Sequence, residues 1–164
     1  MVDTKTLTDL SDLAKQLNEQ SDTLNGHIKT LNEQMSALNL GLKFWLDKPI
    51  ERSGIVCYGE SEFIPGCIEQ GGEEQLTYLG YGKFEDDWQL LIQKKTSRYR
   101  FDEIRKVWVG VDIAKYAPTP LLRASRDLRL VALEAFDDLL KGLKDLAQTK
   151  IETMKRVGRL ADPQ

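Results

Sequence analysis

Basic side chains crowd one stretch of the chain, in a composition that suits phosphate binding. Residues 94–130 hold ten lysines and arginines against four acidic residues, a net charge of +6. Tyr99, Phe101 and Trp108 interleave with them, as in surfaces that contact phosphates and stack on bases. The candidate anion-binding residues are Lys94, Lys95, Arg98, Arg100, Arg123, Arg126 and Arg129. Gathered on one face, they would bind nucleic acid or a phosphorylated small molecule.

An acidic stretch supplies the opposite charge. Residues 51–92 hold nine acidic residues against two basic ones, a net charge of −7. Pairing between the two stretches, within the chain or across a subunit contact, explains the basic residues without a ligand and is the simpler interpretation. The whole chain has a net charge of −3 and a pI near 5.3, which argues against a general nucleic-acid binder.

Few residues could carry catalysis or hold a metal ion. His27 is the only histidine, and Cys57 and Cys67 have neither the CxxC nor the zinc-site spacing, so we expect reduced thiols, with a disulfide as the lesser alternative. Acidic residues 85–87 are adjacent, and three neighbours on one turn cannot all reach one ion. With no catalytic, metal or cofactor motif, the sequence leans away from an enzyme.

The strongest pattern in the chain is a seven-residue repeat near its start. Leucines recur at intervals of seven from Leu10 to Leu38, and most residues four positions after each are apolar too. The predicted oligomerisation seam consists of Leu10, Leu17, Leu24, Ile28, Leu31, Met35 and Leu38. It predicts a coiled-coil helix over residues 1–40 that joins copies of the chain into a homo-oligomer. The alternative is packing of this stripe against the chain's own C-terminal helix, which usually needs a wider apolar face.

Beyond Gly41 the apolar period changes from that of a helix to that of a strand. Residues 59–75 are rich in glycine and glutamate and predict a loop. Residues 83–87 form the polar tip of a hairpin. The predicted strands cover residues 42–47, 54–58, 76–82, 88–93 and 105–113. Their short connections predict an antiparallel meander of three to five strands within residues 41–117.

A long helix is predicted for the remaining region, residues 118–164. Thr119 is placed as its N-cap and Pro120 at its first position, with the helix continuing over 121–157, unbroken or broken near Gly142. Its wide apolar stripe predicts that it shares one domain with the sheet. The sequence therefore predicts an α+β protein with a coiled-coil helix, a small antiparallel meander and a long C-terminal helix.

These patterns favour a non-enzymatic interaction protein that oligomerises through its N-terminal helix and presents a charged β surface to a protein partner. The alternative is a binding module for nucleic acid or a phosphorylated small molecule through the basic residues. No cofactor is predicted. No apolar run is long enough to cross a membrane, and the first residues do not read as a secretory signal, so we expect a cytoplasmic protein.

Overall fold

The computed structural model describes residues 4–57, 72–102, 104 and 107–161. Residues 59–71 of the predicted loop, including Cys67, therefore lie outside the described residues. The elements in chain order are α1 (Thr4–Ala37), β1 (Phe44–Trp45), β2 (Glu51–Cys57), β3 (Gly72–Phe84), β4 (Asp87–Asp102), β5 (Val107–Lys115), β6 (Thr119–Pro120), a 3-10 turn (Leu121–Arg123), α2 (Arg126–Glu134) and α3 (Phe136–Ala161). The predicted α+β class, with a long first helix, an antiparallel sheet and a C-terminal helix, is confirmed.

The sheet is built on one long hairpin. β3 and β4 pair from Gly72 opposite Tyr99 to Phe84 opposite Asp87. β1 and then β2 follow one edge of β3, and β6 and β5 follow the outer edge of β4. All these pairings are antiparallel, and the two-residue strands β1 and β6 bring the described sheet to six strands.

Both strands of the hairpin are longer than the sequence predicts. The turn narrows to Glu85 and Asp86, and Glu85 takes a positive φ of 55°. Residues 72–75, predicted as loop, belong to β3, because they pair with residues 96–99 of β4. Both segments are mostly polar, so alternation of apolar and polar residues gave no signal for this part of the ladder.

The helices cover one face of the sheet. α1 packs against β4, α3 packs against β1 and β3, and α2 contacts both of these helices. The core between helices and sheet contains Leu24, Ile28, Met35, Leu79, Tyr81, Leu90, Ile92, Leu121, Leu128, Ala132, Leu139 and Leu143. The second part of α1 therefore shares one core with the sheet and the C-terminal helices. We call the other side of the sheet, which none of the described helices covers, its open face.

The predicted start of the C-terminal helix is wrong. Thr119 and Pro120 pair with β4 as strand β6, and a 3-10 turn follows them. The N-cap of α2 is Ser125, whose hydroxyl accepts a hydrogen bond from the backbone N–H of Leu128 at 3.3 Å. A Thr-Pro pair is compatible with an extended edge strand as well as with a helix start. Here it is extended, because it pairs with the edge of β4.

The C-terminal helix is broken, at Ala135 instead of the predicted Gly142. Ala135 has a ψ of 2°, which separates α2 from α3. Gly142 stays within α3, where a Cβ atom would lie 2.2 Å from the ring of Phe44. This glycine is therefore needed for close packing of α3 against β1, and it does not end the helix.

Candidate functional site

The second half of α1, residues 21–37, packs on the chain's own sheet. The seam residues that are buried or half-buried there are Leu24, Ile28, Leu31 and Met35. The side-chain oxygen of Asn32 accepts the backbone N–H of Leu90 on β4 at 2.8 Å, which ties the helix to the strand. These seam residues pack within the chain, against the sheet and α2, and α2 is the first part of the C-terminal helix that the within-chain alternative named.

The first half of α1, residues 4–20, leaves its apolar residues exposed. Four leucines spaced by three or four residues lie on one side of the helix, and each is more than half exposed. We call Leu7, Leu10, Leu13 and Leu17 the exposed stripe. Leu38, the last seam residue, lies beyond the end of α1 and is 62% exposed.

A groove continues the exposed stripe onto α2. It has a volume of about 230 Å³ and runs from Leu17 and the exposed His27 on α1 to Arg126 and Leu130 on α2. Leu130 is 48% exposed, so the apolar surface extends past the helix itself. The Nε atom of Arg126 is buried and has no hydrogen-bond partner in the described part of the chain. The apolar surface thus ends next to a buried cationic donor.

The candidate anion-binding residues of β4 do not share a face. Lys94 and Lys95 are adjacent in the strand, so their side chains lie on opposite sides of the sheet. Arg98 donates two hydrogen bonds to Glu73 of β3, at 2.9 and 2.5 Å, which is the charge pairing expected between the basic and acidic stretches. The side chain of Arg100 lies outside the described part of the structure.

Two of the three arginines near α2, Arg123 and Arg129, have contacts of their own. Arg123 lies over the ring of Phe84, 5.4 Å from its centre. Arg129 donates to the side-chain oxygens of Asn25 and Ser21 on α1, at 2.6 and 3.2 Å, and so joins the two helices. Strand alternation therefore places Lys95 on the side of the sheet away from Lys94 and Arg98, and Arg98, Arg123 and Arg129 are engaged in contacts within the chain. A single basic face made by all seven residues stays a prediction.

A row of polar side chains crosses the open face instead. Glu74 is 2% exposed, and its Oε1 accepts hydrogen bonds from Arg52 at 2.8 Å and from the hydroxyl of Tyr99 at 2.5 Å. Burial, followed by the hydrogen bond to Glu74, raises the pKa of Tyr99 to about 12, so this hydroxyl stays protonated and acts as a donor at neutral pH. The Oε2 atom of Glu74 has no hydrogen-bond partner among the described residues.

Asp112 of β5 organises the next part of this row. It accepts a hydrogen bond from the Ser97 hydroxyl at 2.6 Å, and Lys95 places its ammonium 3.5 Å from the other carboxylate oxygen. The hydrogen bond from Ser97, helped by the nearby lysines, lowers the pKa of Asp112. Asp112 therefore remains ionised at neutral pH and holds the Lys95 side chain in place.

A depression of about 230 Å³ lies beside this row, and we call it the lysine pocket. Its walls are Trp45, Leu46, Asp47, Tyr78, Gln93, Lys95 and Lys115. Of these, only Lys95 was among the site residues that the sequence predicted. The others could have been found only from the register, since Tyr78 pairs with Gln93, and Lys95 with Lys115, across three strands.

The described residues form neither a metal site nor a membrane-spanning helix. Asp86 and Asp87 are exposed at the hairpin turn, and within the described ranges no three His, Cys, Asp or Glu side chains are grouped to hold a metal ion. None of the described helices is both long and apolar enough to span a membrane. Comparison of the chain with protein-family models, curated proteins and solved structures found no match.

Proposed function

We propose that this chain is a non-enzymatic assembly protein of the cytoplasm, whose copies associate through the exposed stripe of α1. The observation that carries the proposal is the contrast within one heptad register. Residues 21–37 bury their seam side chains, whereas the leucines of residues 4–20 stay more than half exposed. A contiguous apolar stripe on a soluble monomer is a frequent mark of an interaction site.

A second copy of the chain is the occupant that best fits this stripe. The stripe is narrow, with a spacing of three and four residues, and this matches another helix of the same pattern. The remaining positions carry both signs of charge, at Lys5, Asp9, Asp12, Lys15 and Glu19, so two copies would meet without strong repulsion. We therefore propose a two-fold symmetric pair in which the same surface is used by both copies.

The size of the surface sets the expected affinity. Residues 4–20 span about 25 Å of helix. Full burial of a leucine is worth about 1.5–3 kcal/mol, so the eight half-exposed leucines of two copies would contribute about 6–12 kcal/mol. Association itself costs at least about 4 kcal/mol. We therefore expect a reversible dimer with a dissociation constant no tighter than about 1 µM.

The decisive measurement is sedimentation equilibrium of the full chain over a wide concentration range. The variant Leu10→Gln/Leu17→Gln keeps helix-forming residues in α1 but removes half of the exposed stripe. We expect the wild type to dimerise and this variant to remain a monomer with an unchanged helix content by circular dichroism. Deleting residues 1–40 would be a poor test, because it also removes the core residues Ile28 and Met35.

Leu38→Gln is the matched control. It makes the same chemical change at an exposed leucine of the same register, but outside the exposed stripe. The control should dimerise like the wild type. A wild type that stays monomeric at about 1 mM would refute the proposal, because the contact would then be weaker than about 4 kcal/mol and too weak to assemble the chain. Equal weakening by Leu38→Gln would show that the exposed stripe is not the contact.

A further inference from the structure

The lysine pocket has features of a binding site, and it is independent of the exposed stripe. It lies on the open face, whereas α1 covers the other face of the sheet. The pocket is bounded by the segment after β1, by the middle of β3 and β4, and by the end of β5. Its volume of about 230 Å³ is below that of most drug-sized sites, so only a small ligand fits.

Two aromatic residues form one part of the pocket. Trp45 lies directly against the sheet, because its partner in the ladder is Gly80, where a Cβ atom would come within 2.3 Å of the indole ring. Tyr78 lies next to it on the open face, two residues before Gly80 on β3. A planar ring of a ligand would find apolar and aromatic surface here.

Two lysines form the opposite part. Lys95 is held from two sides, by Asp112 at 3.5 Å and by the face of the Tyr78 ring at 4.5 Å. Lys115 lies opposite Lys95 in the ladder, and it forms no salt bridge with the described residues. Among the described residues Asp112 is the salt-bridge partner of Lys95, and Lys115 has no such partner.

The remaining polar wall is fixed as well. Gln93 is 7% exposed, and its amide donates a hydrogen bond to the carbonyl oxygen of Tyr116 at 2.9 Å. Asp47 also lines the pocket, and its carboxylate would disfavour an anionic group placed beside it. The charge distribution therefore orients an anionic ligand with its charge toward β5.

We propose that the lysine pocket binds a small organic anion with one planar ring. The carboxylate or phosphate of this ligand lies between Lys95 and Lys115, and its ring lies against Trp45 and Tyr78. The register of β3, β4 and β5 brings these four residues together although they are spread over much of the chain. The proposed site keeps one of the predicted anion-binding residues, Lys95, and pairs it with Lys115.

The test uses the full chain labelled with ¹⁵N and titrated with phenyl phosphate or with benzoate, which share the ring and differ in the anionic group. Ligands of this size bind with a dissociation constant of about 1 mM, so the titration must extend well above that. The indole N–H of Trp45 and the backbone N–H of Lys95 should shift and saturate. The tighter of the two ligands identifies whether the site prefers phosphate or carboxylate.

Three variants locate the site. Lys95→Gln and Lys115→Gln should each weaken binding by about tenfold, because each removes a charged hydrogen-bond donor. Lys94→Gln is the matched control, since it makes the same change on the neighbouring residue, which lies on the opposite face of the sheet. The control should bind like the wild type, and unchanged spectra elsewhere in the chain show that each variant is folded.

Three results would overturn the proposal. The first is the absence of saturable shifts at Trp45 and Lys95 for both ligands. The second is equal weakening by Lys94→Gln, which would mean a diffuse charge effect. The third is binding of inorganic phosphate as tight as that of phenyl phosphate, since the ring would then contribute nothing. None of these results depends on whether the chain dimerises.

Discussion

The two halves of α1 carry the same heptad pattern and are used differently. In residues 21–37 the seam faces the sheet, where Ile28 is fully buried and Met35 is 3% exposed. In residues 4–20 the helix extends beyond the sheet, and Leu10 and Leu17 are 55% and 53% exposed. One continuous stripe therefore serves as core in one half and as free surface in the other.

A heptad repeat therefore specifies a helix face without specifying its partner. Leucine or isoleucine at these positions packs equally well on a sheet or on a second helix. The polar residues distinguish the halves better. In the second half Asn25 and Asn32 accept hydrogen bonds from Arg129 and from the Leu90 backbone, whereas Asn18 in the first half is exposed.

The largest expected effect is a difference in stability between substitutions at one apolar position in each half of α1. Ile28→Ala should lower the free energy of unfolding by about 2–5 kcal/mol, because it leaves a cavity between α1 and β4. Leu10→Ala, measured well below the dissociation constant of the proposed dimer, should change it by less than about 0.5 kcal/mol. Urea denaturation followed by circular dichroism measures both values.

Equal effects of the two substitutions would contradict this comparison. A large loss for Leu10→Ala in the dilute monomer would mean that the first half packs within the chain. A small loss for Ile28→Ala would mean that the second half is not held on the sheet. Leu10→Ala should also be measured at high concentration. A loss of stability that appears only there is the contribution of Leu10 to the dimer contact.

A smaller effect is expected from the asparagines. Asn32→Ala removes the acceptor for the backbone N–H of Leu90 and should cost about 1–3 kcal/mol, because that donor is left in a partly buried place. Asn18→Ala makes the same change where the side chain is exposed, and it should be neutral or slightly stabilising, because alanine favours the helix. Amide exchange at Leu90 gives the direct readout. Protection of this amide in Asn32→Ala equal to that in the wild type would contradict the role of Asn32.

Some parts of this structure could be read from the sequence, and the reasons are local. The α1 helix follows from its apolar period, and the β3–β4 hairpin follows from alternating aromatic and β-branched residues around a polar turn. The predicted start of the C-terminal helix was wrong because Thr119 and Ser125 are both good N-caps. Residues 119–120 pair with β4, so Ser125 is the N-cap of α2. That choice depends on tertiary contacts.

The candidate site depends on tertiary contacts even more. Lys95 was predicted from the basic stretch, but Trp45 and Lys115 join it only through the register of β1, β3, β4 and β5. A shift of one residue in that register would place Lys95 among the helices and Lys94 in the pocket. The sequence gives the number of basic residues, but the strand pairing decides on which face of the sheet each one lies.

The smallest expected effect concerns Gly26, which lies close to the junction of the two halves. A Cβ atom added there meets nothing within 4 Å, so Gly26→Ala should stabilise the chain by up to about 1 kcal/mol through helix propensity alone. Gly158→Ala is the matched control, because it is equally open but lies near the end of α3, where fraying reduces the gain. Thermal unfolding of both variants measures the difference. If Gly26→Ala instead destabilised the chain or weakened the dimer, the glycine would be required as a joint that lets the exposed stripe move relative to the packed half.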